Sequence, residues 1–269
     1  MTTATATIAQ DAVQARPAGF FADCFSIAIR SVRAVPREIE FVVPALVVPV
    51  FFYTINIGAL QRVAEASTGL DFKAFQLPVA IIFAVTGLSR ASALVTDIQN
   101  GYFDRLLMTP IRRLALLLGL MMADLVLIIT LSIPVVLMGF IVGVRFETGI
   151  VGILIFILMA GLWGLAFTGF PYAIALKTGN PAAVNTSFIL FFPFAFLTTS
   201  FLPRQALSGW LQAIAAWNPV TYLLSGMRSL LYGGWDVYDI AIGLLAIAIV
   251  GTVSMTLAFT ALRGRLKRG

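Results

Sequence analysis

Long uncharged stretches are the feature that most constrains how this sequence can fold. A helix needs about 20 apolar residues to cross a bilayer, and its backbone amides must find their partners within the spanning segment. Six segments of the sequence are long and apolar enough. We therefore predict an all-α integral membrane protein with one transmembrane domain over residues 19–269. Its six spans are predicted at about 39–61, 74–96, 114–142, 148–175, 182–202 and 239–262.

The composition favours a membrane protein and argues against an enzyme. The 269 residues are 60% hydrophobic and 11% charged, whereas soluble domains carry about 25% charged residues. The chain has no histidine and a single cysteine, Cys24. His-based acid–base chemistry, histidine metal sites and an internal disulfide are therefore excluded. We expect no catalytic residue, no metal site and no cofactor bound by this chain.

The distribution of Lys and Arg predicts the orientation in the membrane. With the N-terminus in the cytosol, twelve of the 18 cationic residues fall inside and five outside, Arg204 and Arg228 among the latter. Both termini are therefore predicted to be cytosolic. The net charge of +6 favours contact with anionic lipid head groups over nucleic acid. Aromatic residues near span ends predict an interfacial belt, formed by Trp163, Trp210, Trp217, Tyr232, Trp235 and Tyr238.

Two segments outside the spans have their own patterns. Residues 1–18 are small and polar, which predicts a disordered tail, whereas residues 19–37 are amphipathic and too charged to span, which predicts an interfacial helix. Residues 204–234 contain two apolar stripes at helical spacing, separated by Asn218 and Pro219. We predict a re-entrant helical hairpin there. The alternative is a pair of helices lying on the outer surface.

Arg90 and Asp124 are the ionisable residues inside the predicted spans. A lone charge at the centre of a bilayer costs roughly 2.5–3.5 kcal/mol on insertion scales. We therefore predict that Arg90 and Asp124 pair in the inner leaflet. A structural clamp is the favoured role for this pair, and a gate or a substrate contact is the alternative.

The loop between the second and third predicted spans resembles the cytosolic coupling loop of ABC-2-type exporter permeases, especially the daunorubicin-resistance-like branch. The matching positions are Asp97, Gly101, Asp104-Arg105-Leu106, Thr109-Pro110 and Arg112-Arg113. The run NPVTYLLSGMRSLLYGG at 218–234 is similar to the family's Asn-Pro…Tyr…Arg…Gly signature, here Asn218, Pro219, Tyr222 and Arg228. Tyr102 departs from the pattern, since relatives often have a small residue at that position.

The resemblance implies a half-transporter. Two permeases, identical or closely related, would pair and bind two copies of a cytosolic ATPase subunit, which would bind ATP and Mg²⁺. The residues expected to contact this ATPase are Asp97, Gly101, Asp104, Arg105, Pro110, Arg112 and Arg113. The first and fifth spans would line the path, with Phe51, Tyr53, Phe188, Phe191 and Phe192 as candidates and lipid contact as the alternative role. The sequence has no GxxxxGK[ST] phosphate loop, so ATP energy would come from another chain.

We therefore expect the permease subunit of an ATP-driven exporter in the cytoplasmic membrane of a prokaryote. Its cargo is expected to be hydrophobic or amphiphilic, such as a drug, a polyketide or a lipid. A membrane path without a ring of charged residues suits such a cargo better than an ion. A polysaccharide or glycolipid exporter stays open as an alternative. So do an ATP-independent secondary carrier, which would need intramembrane ionisable residues, and a non-transporting assembly factor.

Overall fold

The fold is described from a computed structural model of the chain, which covers residues 19–34, 39–86, 89–102, 105 and 113–266. Every regular element in these ranges is helical, so the prediction of an all-α protein is confirmed. The α-helices are α1 Phe20–Ala34, α2 Ile39–Thr68, α3 Phe72–Thr86, α4 Ala91–Gln99, α5 Arg113–Val142, α6 Gly149–Thr178, α7 Pro181–Thr186, α8 Phe191–Phe196, α9 Gly209–Trp217, α10 Pro219–Arg228 and α11 Val237–Leu266. The N-terminal tail 1–18 lies outside the described residues.

Five helical segments among the described residues are long and apolar enough to cross a membrane. They are Val43–Thr68, Phe72–Gln99, Leu114–Val142, Gly149–Thr178 and Val237–Arg265. The second of these comprises α3 and α4, and residues 87–88 between them lie outside the described part of the chain. These helices make the chain a multi-pass membrane protein.

The predicted fifth span, 182–202, is not one continuous helix. It consists of α7, the 3₁₀ turn Ser187–Leu190 and α8, followed by irregular backbone from residue 197 onward. Pro193 contributes to the break because it has no amide hydrogen to donate within α8. The helical part, Pro181–Phe196, covers about 24 Å at 1.5 Å per residue. A sequence-based estimate of apolar length does not detect such a break.

Helix α6 is the centre of the bundle and packs against α3, α4, α5 and α11. Glycines on α6 permit these close approaches: a methyl group at Gly164 would lie 2.8 Å from Ile128 of α5, and one at Gly169 would lie 2.6 Å from the backbone of Ser254 on α11. Small residues let helices in a membrane pack backbone to backbone. Trp163 of α6 is fully buried, and its Nε1 donates to Thr86 Oγ1 at 3.0 Å. The prediction that Trp163 belongs to an interfacial belt is therefore wrong.

Helix α1 packs across α5 through Ile27. A methyl group at Gly119 of α5 would lie 2.7 Å from Ile27 Cβ, so the glycine sets this close contact. The opposite face of α1 is apolar and uncovered, since Phe21 is 85% exposed and Phe25 is also exposed. Burial raises the pKa of the Cys24 thiol, and the adjacent Asp23 carboxylate raises it further. The thiol is therefore protonated at neutral pH and is not an activated nucleophile.

The predicted pair of short helices before the last span is present as α9 and α10, with Asn218 between them. The two differ in burial: Trp217 on α9 is 90% exposed, whereas Leu223, Leu224 and Met227 of α10 are buried. Arg228, at the end of α10, is buried as well. The side chain of Arg228, which the charge distribution predicts to lie on the outer side, is therefore enclosed by the fold.

Replacing Gly169 by Ala is expected to lower the stability of the bundle by about 1–3 kcal/mol, because the added methyl group forces α6 away from the Ser254 backbone. Gly58→Ala on α2 is the matched control, since a methyl group at Gly58 meets nothing within 4 Å. Thermal unfolding of both variants in detergent measures the difference. Equal melting temperatures would contradict the proposed packing of α6 on α11.

Candidate functional site

A cavity of about 650 Å³ opens between α2, α3, α6 and the segment 181–203, which is called the broken segment. Cavities that bind small molecules commonly measure about 300–1,000 Å³. Its wall is mainly apolar, with Pro44, Val48, Pro49 and Phe52 from α2, Val79, Ala80 and Phe83 from α3, and Phe167 and Pro171 from α6. No Lys, Arg, Asp or Glu is among the described residues that line it.

Phenylalanines form a continuous wall along one side of the cavity. Phe83 of α3 contacts Phe192 and Phe196 with ring centroids 6.3 and 5.7 Å apart. Phe188 meets Phe192 edge-to-face at 5.2 Å, and Phe196 stacks on Phe192 at 5.8 Å and on Phe201 at 5.7 Å. Edge-to-face and offset-stacked pairs are the arrangements that aromatic rings prefer. The wall offers faces and edges of rings to an aromatic or lipidic molecule.

Three of the five residues predicted to line a path do line this cavity: Tyr53, Phe188 and Phe192. Phe51 does not, because it lies on a different face of α2 and is 57% exposed. Phe191 does not either, because it is fully buried behind the wall, between Phe83 and Phe167. The sequence did not identify four further lining residues, Phe52, Phe83, Phe196 and Phe201. Whether these side chains face the cavity depends on how α2, α3 and the broken segment pack.

One end of the cavity lies toward residues 69–71, which connect α2 to α3. We call it the turn end. The irregular backbone after α8 passes this end, and its carbonyl groups need partners because no helix satisfies them. Gln76 of α3 donates from Nε2 to the carbonyl oxygen of Ser200 at 2.9 Å. Thr198 and Ser200 donate their hydroxyl groups to the carbonyl oxygen of Ala195 at 2.7 and 2.6 Å.

Asn218 forms hydrogen bonds with backbone groups at both the end of α8 and the start of α10. Its Nδ2 donates to the carbonyl oxygens of Phe194 at 2.7 Å and Leu197 at 3.0 Å. Its Oδ1 accepts from the amide of Val220 at 3.0 Å, which caps α10, and Pro219 occupies the first helical position, where a missing amide hydrogen is harmless. Tyr222 donates its hydroxyl to the carbonyl oxygen of Ala216 at 2.6 Å and ties α10 back to α9. Three of the residues in the 218–234 motif therefore have definite structural roles.

Arg228 holds the same irregular segment from the other side. Its Nη1 donates to Thr199 Oγ1 at 3.0 Å and its Nη2 to the Thr199 carbonyl oxygen at 2.9 Å. Its Nε donates to the Phe75 carbonyl oxygen at 3.1 Å, and its guanidinium lies 3.5 Å above the Phe75 ring centroid. A planar guanidinium suits this combination of stacking and forked hydrogen bonding. Arg228 therefore joins α10, α3 and the broken segment.

The opposite end, near Asp97 at the close of α4, is called the loop end. Here Asp124 of α5 is fully buried and accepts hydrogen bonds from the Arg90 backbone amide at 3.0 Å and the Tyr172 hydroxyl at 2.8 Å. The Arg90 amide is available because α4 begins at the next residue. Arg90 also donates from Nη1 to the Ser31 carbonyl oxygen of α1 at 2.9 Å. The structure thus brings Arg90 and Asp124 into contact, and Tyr172, which sequence reasoning missed, joins them.

Arg30 of α1 contacts the last turn of α4 and Tyr102 beyond it. Its Nη2 lies 3.3 Å from Asp97 Oδ2, and its guanidinium lies 4.8 Å from the Tyr102 ring centroid. Gly101 has a φ of +69°, a conformation that glycine adopts without strain. The bulky Tyr102, which departs from the expected pattern, therefore contacts α1.

Comparison with known proteins decides the family. The family model described as "ABC-2 type transporter" matches residues 22–232. The chain belongs to the ABC-2 type transporter family. It is 27% identical over 208 residues to the daunorubicin resistance ABC transporter permease protein DrrB1 of Streptomyces coeruleorubidus, covering 76% of this chain and 72% of the relative. It is 26% identical over 231 residues to the probable doxorubicin resistance ABC transporter permease protein DrrC of two Mycobacterium tuberculosis strains, covering 83% of each.

The match of this ABC-2 chain runs from α1 to the π-helical turn after α10, so it includes the cavity and both ends described above. Of the predicted ATPase contacts, Asp97, Gly101 and Arg105 lie among the described residues, and Arg105 is exposed. Asp104, Pro110 and Arg112 lie outside them, and for Arg113 only the helical backbone at the start of α5 is described. The ATPase-contact roles of all seven residues therefore stay predictions.

Replacing Arg228 by Lys is expected to destabilise the protein by about 2 kcal/mol or more, because one ammonium group cannot reproduce three hydrogen bonds and the stacking on Phe75. Arg204→Lys is the matched control because Arg204 is exposed. Thermal unfolding in detergent compares the two. A melting temperature for Arg228→Lys equal to that of the control would contradict the role given to Arg228.

Replacing Tyr172 by Phe is expected to lower the free energy of unfolding by about 1–3 kcal/mol, since the buried Asp124 carboxylate loses a donor and the ring keeps its packing. The control Tyr238→Phe removes the hydroxyl of an exposed tyrosine and should change nothing. The same unfolding assay measures both variants. If they behaved alike, the hydrogen bond from Tyr172 would not stabilise the protein.

Proposed function

We propose that this chain is the membrane-spanning subunit of an ATP-driven exporter that moves hydrophobic or amphiphilic molecules outward. The observation that carries the proposal is the charge-free, phenylalanine-lined cavity between helices long enough to span a bilayer. The relatives named for daunorubicin and doxorubicin resistance support a cargo of this kind. Drugs, polyketides and lipids all match such a wall, because each buries apolar surface against it.

In this proposal the broken segment 181–203 is a sixth membrane crossing. Near the loop end Asn185 accepts a hydrogen bond from Ser92, and near the turn end Ser200 accepts one from Gln76. Gln76 belongs to α3 and Ser92 to α4, so these two contacts lie on different helices of the second apolar segment. The segment therefore runs beside both α3 and α4, as a membrane crossing next to them would.

The loop end is the cytosolic end in this arrangement. Positive residues concentrate on the cytosolic side of membrane proteins, and Arg30, Arg33, Arg105, Arg263 and Arg265 all belong to helices or loops at the loop end. Both termini are then cytosolic, α1 lies in the inner interface with Phe21 and Phe25 toward lipid, and α9 and α10 form a hairpin in the outer leaflet. The membrane is the cytoplasmic membrane of a prokaryote.

A second permease, identical or closely related, pairs with this chain through α2. That helix presents a continuous apolar face, and the exposed side chains on it are Val43, Val47, Val48, Phe51, Phe52 and Ile55. Val48 and Phe52 also line the cavity, so a partner on this face would lie beside the cavity opening. Lipid would cover the same face in an isolated subunit.

Two copies of a cytosolic ATPase subunit bind ATP and Mg²⁺ and move the loop 97–113. Asp97 contacts Arg30 on α1, and Arg90 at the other end of α4 contacts Asp124 on α5 and, through it, Tyr172 on α6. Pro171, adjacent to Tyr172, lines the cavity. A displacement of α4 by the ATPase is thereby passed to helices that enclose the cargo.

A polysaccharide or glycolipid is the second candidate cargo. The observation that favours it is the presence of the side-chain amides of Asn56, Gln76 and Asn185 on a wall that is otherwise aromatic. Sugars combine hydroxyl groups with faces that stack on rings. The same cavity therefore supports a sugar-containing cargo as well, although apolar residues make up more of the wall than polar ones do.

Purification of the tagged chain in mild detergent from native membranes is expected to recover an ATPase subunit and ATPase activity. The double variant Asp104→Ala and Arg105→Ala is expected to reduce the recovered activity at least several-fold, because docking contacts of opposite charge are lost. The matched control is Arg204→Ala with Glu147→Ala, which removes exposed charges remote from the loop 97–113. A folded preparation without ATPase partner or activity would contradict the proposal and favour a gradient-driven carrier.

A further inference from the structure

The polar side chains of the cavity are not spread evenly over its wall. At the turn end, Tyr53 donates its hydroxyl to the Lys73 carbonyl oxygen at 3.1 Å, which places this turn of α2 beside the start of α3. Asn56 follows Tyr53 by three residues and Gln76 follows Lys73 by three, so both amides lie near this contact and both line the cavity. The turn end of the cavity therefore carries two amide groups.

The loop end has a similar polar group. Ser92 of α4 donates its hydroxyl to Asn185 Oδ1 at 3.0 Å, and both residues line the cavity together with Ser89. Asn185 accepts from Ser92 through its oxygen, and its NH₂ group forms no hydrogen bond with any residue that the structure describes. This NH₂ group can donate to a bound molecule.

Asn56 is the clearest ligand-binding group of the set. Its side chain is partly buried on the cavity wall, and it forms no hydrogen bond with any part of the chain that the structure describes. The donor and acceptor atoms of this amide are therefore available to a molecule that enters the cavity.

The wall between the two polar ends is aromatic and without charge. Phe83, Phe188 and Phe192 contact one another there. Because the described lining contains no ionisable carboxylate, ammonium or guanidinium group, an ionised cargo would lose its hydration without gaining a counter-ion. A purely apolar cargo would leave the Asn56 amide and the NH₂ group of Asn185 without partners in the cavity.

We infer that the cavity selects an uncharged, elongated amphiphile that has a planar apolar middle and a hydroxyl or amide group at each end. Asn56 and Gln76 bind one end, the Ser92–Asn185 pair binds the other, and the phenylalanine wall binds the middle. This inference deepens the proposed function, since it takes the cavity as the cargo site.

The test uses fluorescence of the purified full-length chain in detergent. Trp163 donates to Thr86, and Thr86 lines the cavity, so its emission reports on occupancy when the other tryptophans of the chain, Trp210, Trp217 and Trp235, are replaced by Phe. The probe is a diphenyloctatetraene with a hydroxyethyl group on each ring, which absorbs where tryptophan emits. The comparison probes carry one hydroxyethyl group, or a carboxyethyl group on each ring.

The doubly hydroxylated probe is expected to bind most tightly, and the dicarboxylate most weakly. Asn56→Leu is expected to weaken binding of the doubly hydroxylated probe about five- to tenfold, the effect of one lost hydrogen bond, and to affect the dicarboxylate little. Asn56 makes no internal hydrogen bond among the described residues, so this variant should fold. Asn100→Leu, at an exposed position after α4, is the matched control and should bind as the parent does.

Equal binding of the doubly hydroxylated probe by the Asn56→Leu and Asn100→Leu variants would overturn the inference. So would tighter binding of the dicarboxylate. A further variant, Ala80→Phe, fills the cavity and should abolish specific quenching by every probe; persistent quenching would place the probes in the micelle and also overturn it. No ATPase takes part in this assay, so a failed ATPase recovery would contradict the proposed function without touching the binding result.

Discussion

The irregular backbone beside the apolar cavity needs hydrogen-bond donors for its carbonyl groups. The side chains that supply these donors also determine how the neighbouring helices pack. Residues 197–203 leave helical geometry after α8, and Thr198, Thr199 and Ser200 among them are buried. Gln76 of α3, Asn218 at the start of α10 and Arg228 at its end donate to Ser200, Leu197 and Thr199, respectively. These hydrogen bonds hold α3, α10 and the broken segment together.

The segment that these residues stabilise also forms one wall of the cavity. Phe188, Phe192, Phe196 and Phe201 of this segment line a space of about 650 Å³ together with residues of α2 and α3. The shape of the cavity and the fold at the turn end thus depend on the same hydrogen bonds.

The loop end is organised around a buried charge rather than around unpaired carbonyls. Asp124 accepts from the Arg90 amide and the Tyr172 hydroxyl, and Arg90 reaches Ser31 on α1. A buried carboxylate deprived of its donors is strongly destabilising, so α1, α4, α5 and α6 are linked in position there. The exposed contact between Arg30 and Asp97 adds little energy by itself, but it joins α1 to the loop that the ATPase is proposed to move.

The sequence by itself determined the all-α membrane class, four long apolar helices close to their observed bounds, the break at Asn218-Pro219 and the resemblance to the ABC-2 family, because hydropathy, proline and local motifs act within a single segment. It also singled out Arg90 and Asp124 as the buried ions. Tertiary structure decided that the fifth apolar stretch is broken, that Arg228 is enclosed, that Trp163 is central, and that Phe52 and Phe83 rather than Phe51 and Phe191 face the cavity. Those outcomes depend on which side chain donates a hydrogen bond to each carbonyl group and which helix covers each helix face. The residues that decide this are distant from one another along the chain.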